Sequence, residues 1–188
     1  MTDTHTKKTD PDLLILVDSD DNELGHLEKA LCHYGEGKLH RAFSIFLFNQ
    51  YGEVLLQQRA DGKPLWANYW SNSCCSHPRL GETLEVAANR RIIEELGISS
   101  DLKFIYKFEY QASFNDQLSE NELCSVYLGK FEGSPKVNPD EVKSWRWVSP
   151  ELLNTELQTN PQNYTPWLKL EWRTLFQEYA KELKFYSN

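Results

Sequence analysis

No apolar run in this chain approaches the roughly 20 residues that a helix needs to cross a bilayer. Residues 1–10 are polar and lack the apolar centre of a secretory leader. Both absences predict a cytoplasmic protein with no membrane partner. Positive charge is in deficit as well, with 20 Lys and Arg against 28 Asp and Glu and a net charge of −8. Nucleic acid is held by clustered Lys and Arg, and no basic patch interleaved with aromatics occurs, so no nucleic-acid partner is expected. Cysteine is sparse: Cys32, Cys74, Cys75 and Cys124 include no C-x-x-C pair, which argues against a structural zinc site. A reducing compartment argues against disulfides, and the adjacent Cys74 and Cys75 are poorly disposed to bond to each other. Repeats and low-complexity segments are missing too.

What is present suits one folded domain. The 188 residues are 40% apolar and 13% aromatic, enough for a sizeable core. Residues 1–12 read as a flexible N-terminal segment and 13–188 as a single domain. Strands are predicted at 13–17, at the nearly continuous apolar run 40–48, and at 53–58 as its hairpin partner. W-S-N-S-C-C-S reads as a short strand, 103–114 and 122–131 as paired strands, and 145–148 as another. Helices are predicted at 82–96, stopped by Gly97, and at 166–183. Strands outnumber helices and mostly connect by hairpins. The pattern is an α+β fold, a mixed β-sheet flanked by helices.

The helix 82–96 carries charges where apolar residues belong. At 100° per residue Leu84, Ala88, Arg91, Ile92 and Glu95 share one side. Two accounts stand side by side: an i,i+4 ion pair between Arg91 and Glu95, or Glu95 facing a metal and Arg91 an anion. Val86 and Ile93 on the opposite side suggest burial from both faces. If the hairpin between 103–114 and 122–131 turns about Asp116, Tyr110 lies opposite Glu122 across the strands, within hydrogen-bonding reach. Glu120 and Glu122, two apart, leave one face of a strand. Such like charges favour protonation of one unless a cation lies between them.

The segment S-H-P-R-L-G-E-T-L-E-V-A-A-N-R-R-I-I-E-E-L-G-I, from Ser76 to Ile98, resembles the Nudix signature G-x5-E-x7-R-E-U-x-E-E-x-G-U, with U an apolar residue. Glu82, Arg90, Ile92, Glu94, Glu95, Gly97 and Ile98 fall in register. Ser76 stands where the signature has Gly, and Arg91 where it has a metal-binding Glu, a charge inversion that counts against pyrophosphate hydrolysis. A resemblance to type I isopentenyl diphosphate isomerase, a Nudix-fold family, covers most of the chain. It rests on L-E-K at 27–29, His33 and His40 running into A-F-S, Q-R-A at 58–60, W-S-N-S-C-C-S-H-P, E-N-E at 120–122 and T-P-W at 165–167.

The resemblance implies Cys75 and Glu122 as catalytic residues, Tyr110 as a group that positions or transfers a proton, and Trp167 as an aromatic face toward the reacting carbon skeleton. It implies a metal site of His33, His40, His77, Glu120 and Glu122 for Mn²⁺ or Mg²⁺, with Zn²⁺ a third option of similar chemistry. It also implies Mg²⁺ bound with the substrate diphosphate near Glu95, and Lys29, Arg59, Lys63 and Arg91 as diphosphate-binding cations. Taken singly, each of these histidines, carboxylates and cations is an ordinary residue; their joint alignment is what carries weight. Cys74 would then be packing. The implied partner is a small-molecule diphosphate, and the expected state a monomer or weak homodimer. The rivals are a Nudix hydrolase, a non-catalytic diphosphate-binding module and a thiol hydrolase using Cys75 with His77.

Overall fold

The structure, a computed structural model, describes residues 13–187, so the segment expected to be flexible lies outside the described residues. The centre of the sheet is β3 (His40–Phe48), and its composition explains its place. H-R-A-F-S-I-F-L-F is apolar at almost every position, and all its residues but Arg41 are buried. A strand covered on both faces has this reading, whereas a half-exposed one alternates. Around it lie β1 (Leu13–Val17), β4 (Val54–Arg59), β6 (Cys74–Ser76) and β8 (Ser119–Lys130), with β2 (Glu23–Glu28), β5 (Trp70–Ser71), β7 (Lys103–Ser113) and β9 (Val142–Val148) farther out. The β3–β8 pair is parallel and the other pairs are antiparallel.

Two helices close the faces. On one, Ala88, Ile92 and Leu96 of α2 (Leu84–Leu96) pack on Phe43, Ile45, Leu47 and Cys74. On the other, Leu168, Trp172 and Leu175 of α4 (Pro166–Glu178) pack on Phe46, Phe48, Val126 and Leu128. The Thr83 side chain caps α2 by accepting from the Val86 N–H, and Gly97 ends it in the left-handed region at φ 64°.

Several expectations need correction. Val86 and Ile93 are 57% and 56% exposed, so α2 is covered on one face only; a few apolar residues on a wet face are ordinary. Glu82 lies before the helix, tied to Arg90 by two bonds of 2.7 and 2.8 Å. The predicted helix 166–183 is two: α4 stops at Tyr179, whose ring stacks on Tyr106 at 4.8 Å, and α5 covers Ala180–Tyr186. Elements not anticipated are β2, a single turn α1 (Lys29–Cys32) and α3 (Pro150–Thr159). The last has a readable start, with the Ser149 side chain as cap and Pro150 in the first turn. Strand β8 begins three residues earlier than expected, which brings Glu120 onto it. The β7–β8 register does turn about position 116: Tyr110 pairs with Glu122 and Ala112 with Glu120. No helix of the described residues is long and apolar enough to cross a membrane.

Gly97 ties α2 to the following chain, because a Cβ there would meet the Lys136 carbonyl oxygen at 3.0 Å. Gly97→Ala should cost about 1–2 kcal/mol from the left-handed backbone alone. The check is the urea midpoint, with an unchanged m-value.

Candidate active site

The sheet registers assemble a cluster of five side chains. His40 opens β3 and lies opposite Glu122 of the parallel β8; Glu120 leaves the same face two residues earlier. His33 follows α1, and His77 follows β6. One potential ligand atom from each of the five lies within 4.8 Å of all the others. His33 Nδ1 is 2.6 Å from the Lys29 carbonyl oxygen, and His40 Nδ1 is 2.7 Å from that of Lys38. A carbonyl only accepts, so both Nδ1 atoms carry the proton and both Nε2 atoms present lone pairs to the cluster.

Those lone pairs are left facing other acceptors. His33 Nε2 lies 2.9 Å from Glu120 Oε2, yet both atoms are buried without a hydrogen-bond partner, as is His40 Nε2. His40 Nε2 is 3.7 Å from Glu122 Oε1, whereas His77 Nε2 is hydrogen-bonded to that oxygen at 2.8 Å. Burial, helped by the neighbouring His77, pushes His40 down to about 4, and burial with Lys29 nearby holds His77 well below the usual imidazole range. For His33 burial acts downward too, but the Glu120 carboxylate outweighs it and the value rises. Imidazole nitrogens turned toward paired carboxylates, with orphaned buried atoms among them, form a donor set that a divalent cation fits.

Beside the cluster is a pocket. Of the thirteen side chains singled out from the sequence, eleven line it: Lys29, His33, Arg59, Lys63, Cys75, His77, Arg91, Tyr110, Glu120, Glu122 and Trp167. His40 is fully buried behind them. Glu95 is elsewhere: it is 2% exposed, bonded to Arg91 and, at 3.2 Å, to Gln57 Nε2. Both of its oxygens are engaged, so no orphaned atom there speaks for an ion.

Alternation along β6 separates the adjacent thiols. Cys74 is buried against α2, whereas Cys75 turns into the pocket with Arg59 Nη1 at 3.8 Å from its sulfur. Burial pushes Cys75 up to about 12, against the opposing pull of Arg59. Across the β7–β8 pair the Tyr110 hydroxyl donates to Glu122 Oε2 at 2.6 Å, and burial beside that carboxylate raises the phenol well above its usual range. The Trp167 indole N–H donates to Ser71 Oγ and Asn72 Oδ1 at 3.0 and 3.1 Å, and its ring carries the Arg59 guanidinium at 5.2 Å.

The remaining cations are held at the rim. Arg91 bonds Glu94 at 2.8 Å, Glu95, and Glu141 at 3.1 Å, and Lys63 pairs with Glu141. Burial, with Lys63 close by, lowers Lys29. The sequence reading passed over Ser71 and Asn72, both fully buried, and Trp66, whose ring meets Trp167 edge-on at 5.3 Å. Two consecutive polar residues in a segment read as a strand were the available signal.

A cation at the cluster should stabilise the fold by mass action, by about 2.7 kcal/mol at a hundredfold excess over Kd. Mn²⁺ or Mg²⁺ added to chelator-treated protein should therefore raise Tm by roughly 5–10 °C in a domain of this size. In His40→Ala the shift should vanish, as read by calorimetry.

The NUDIX domain family model matches residues 38–168. The chain is 46% identical over 156 residues to the isopentenyl-diphosphate Delta-isomerase of Serratia proteamaculans, covering 83% of this chain and 87% of that one. It is 41% identical over 172 residues to isopentenyl-diphosphate Delta-isomerase 1 of Photorhabdus laumondii, with 90% and 98% covered. Among solved structures, a Deinococcus radiodurans protein superposes with a TM-score of 0.73 at 21% identity over 88% of this chain and 99% of that one. A MutT protein of Methanosarcina mazei superposes at 0.63 and 17% identity, covering 75% and 95%. These two likenesses speak to the fold alone. The chain belongs to the Nudix family and, within it, to the isopentenyl-diphosphate Delta-isomerases.

Proposed function

We propose that this protein converts isopentenyl diphosphate to dimethylallyl diphosphate by protonation and deprotonation through a tertiary carbocation, as a step of isoprenoid biosynthesis. The observation that carries the reading is one pocket holding a thiol, Cys75, together with a carboxyl, Glu122, that accepts the Tyr110 hydroxyl at 2.6 Å. An unactivated alkene is a poor base. Moving its double bond requires one group to protonate the terminal carbon and another to take a proton from the adjacent methylene. Cys75 serves as one such group and Glu122 with Tyr110 as the other.

Trp167 presents its π face to the positive charge that forms. Its indole N–H is tied down, and its ring already accepts a guanidinium, which supports this role. Leu65, Pro64 and Trp167 supply apolar wall that keeps water from the cation. Lys29, Arg59, Lys63 and Arg91 bind the diphosphate at the polar side of the pocket. Arg91 replaces the carboxylate that a hydrolase of this fold would place on the helix, so the pocket attracts the anion without a second acidic cluster.

His33, His40, His77, Glu120 and Glu122 would hold a divalent ion, Mn²⁺ or Mg²⁺ by the octahedral preference of such a donor set, with Zn²⁺ also compatible. That ion would offset the charge of the paired carboxylates and polarise the Glu122 carboxyl. Mg²⁺ arriving with the diphosphate is proposed near Glu95, which would have to give up its bond to Arg91 or Gln57 to hold it.

Proton NMR of isopentenyl diphosphate with the purified protein and Mg²⁺ in D₂O tests the reading. Dimethylallyl signals, deuterium in the carbon skeleton and no free phosphate are expected. Phosphate release without isomerisation would make the protein a hydrolase and sink the proposal. Cys75→Ala and Glu122→Gln should each lower kcat by at least about 10².

A further inference from the structure

Glu171 belongs to none of the roles above, and its surroundings are unusual for a carboxyl. It lies one turn after Trp167 on α4, is fully buried, and its Oε2 has no hydrogen-bond partner. Its Oε1 is 3.6 Å from Cys124 Sγ, which in turn is 3.5 Å from Ser44 Oγ. Those two residues are placed by the sheet. Ser44 of β3 is the cross-strand partner of Cys75, and Cys124 follows Glu122 by two on β8, so both leave the face that carries the reacting groups. Glu171 therefore touches, through one thiol and one hydroxyl, the strand positions beside both members of the proton-transfer pair.

The groups that face it are weak donors or further acids. From β8 come Glu122 and Cys124, from β3 Ser44, and from β6 Cys75. From β7, the Tyr106 hydroxyl donates to the Glu171 main-chain carbonyl at 3.2 Å. Among the described residues no Lys or Arg is ion-paired with it. An ionised carboxylate with one oxygen unsatisfied is far more costly to bury than a neutral carboxylic acid with its proton on Oε2.

We propose that Glu171 is a positioning residue for the proton transfers: as a neutral carboxylic acid it anchors the Cys124 thiol and, through it, the Ser44 hydroxyl on the sheet face shared by Cys75 and Glu122. Burial holds its carboxyl up at about 8, against the hydrogen bonds of Ser44 and Cys124 and with the help of Glu122. It is thus neutral at pH 7 and ionises on the alkaline side. There it would put a second negative charge near Glu122 and make the Cys75 thiol harder to ionise.

The inference rests on the isomerase reading, and the test separates the two. Wild type, Glu171→Gln and Glu171→Leu are compared by kcat and KM between about pH 6 and 9, and by infrared difference spectra of wild type against Glu171→Gln. At pH 7 the Leu variant should lose kcat about tenfold with KM within about twofold, because the diphosphate contacts are untouched. The Gln variant, isosteric and unable to ionise, should recover most of that kcat and lack the wild-type decline above about pH 8. Wild type should show a protonated-carboxyl band at pH 7 that the Gln variant lacks.

A Leu variant with wild-type kcat overturns the proposal. So does a Gln pH profile that superimposes on the wild type, or the absence of the band. Where the Leu variant fails to fold, judged by circular dichroism, the Gln profile and the band decide. A wild-type protein that does not isomerise overturns the reading beneath, whatever the band shows.

Discussion

The parallel pairing of β3 with β8 is the constraint on which the site depends. It sets His40 opposite Glu122 and Ala42 opposite Cys124, and the hairpin register of β7 then brings the Tyr110 oxygen to the same carboxylate. A parallel pair cannot be joined by a tight turn, so the chain runs through β4, β5, β6 and α2 before returning. On that excursion it delivers Arg59, Cys75, His77 and Arg91 to the same end of the sheet. A slip of one residue on β8 would turn Glu120 and Glu122 toward α2 and disperse the cluster.

Burial then decides what these groups are. Charged groups withdrawn from water cost several kcal/mol each unless compensated, and the pocket meets that cost in two ways. His40, His77, Cys75 and Tyr110 are held in their neutral forms by burial. Arg91 and Lys63 are paired instead, with carboxylates from α2 and from Glu141 beside them. The α2 helix, apolar where it meets the sheet and ionic at one edge, provides both the floor of the core and the rim of the pocket.

Much of this was legible in the sequence because it depends on local spacing. The alternation that parts Cys74 from Cys75 and the stop at Gly97 follow from strand and helix periods; the turn about position 116 has to be supposed, and the choice of Cys75 for the site comes from the family resemblance. What escaped depends on neighbours that periodicity does not see. Val86 and Ile93 look like core on a helical wheel, yet among the described residues more than half of each stays exposed. Ser71 and Asn72 look like ordinary polar residues until Trp167, some 95 positions later, needs their oxygens. Glu171 falls at helical spacing between Trp167 and Leu175, but the thiol it meets there is set by where α4 packs on the sheet.

The separation of the two adjacent cysteines bears on how the protein could be inhibited. Cys32, Cys74 and Cys124 are buried, and Cys75 is the thiol turned toward the pocket. A covalent inhibitor would therefore have a single anchoring point. With Cys75 pushed up to about 12, a simple alkylating agent would meet very little thiolate at neutral pH. Potency would have to come from the shape of the molecule: an anionic head to engage the cations and a short apolar body to hold the warhead against a reluctant sulfur.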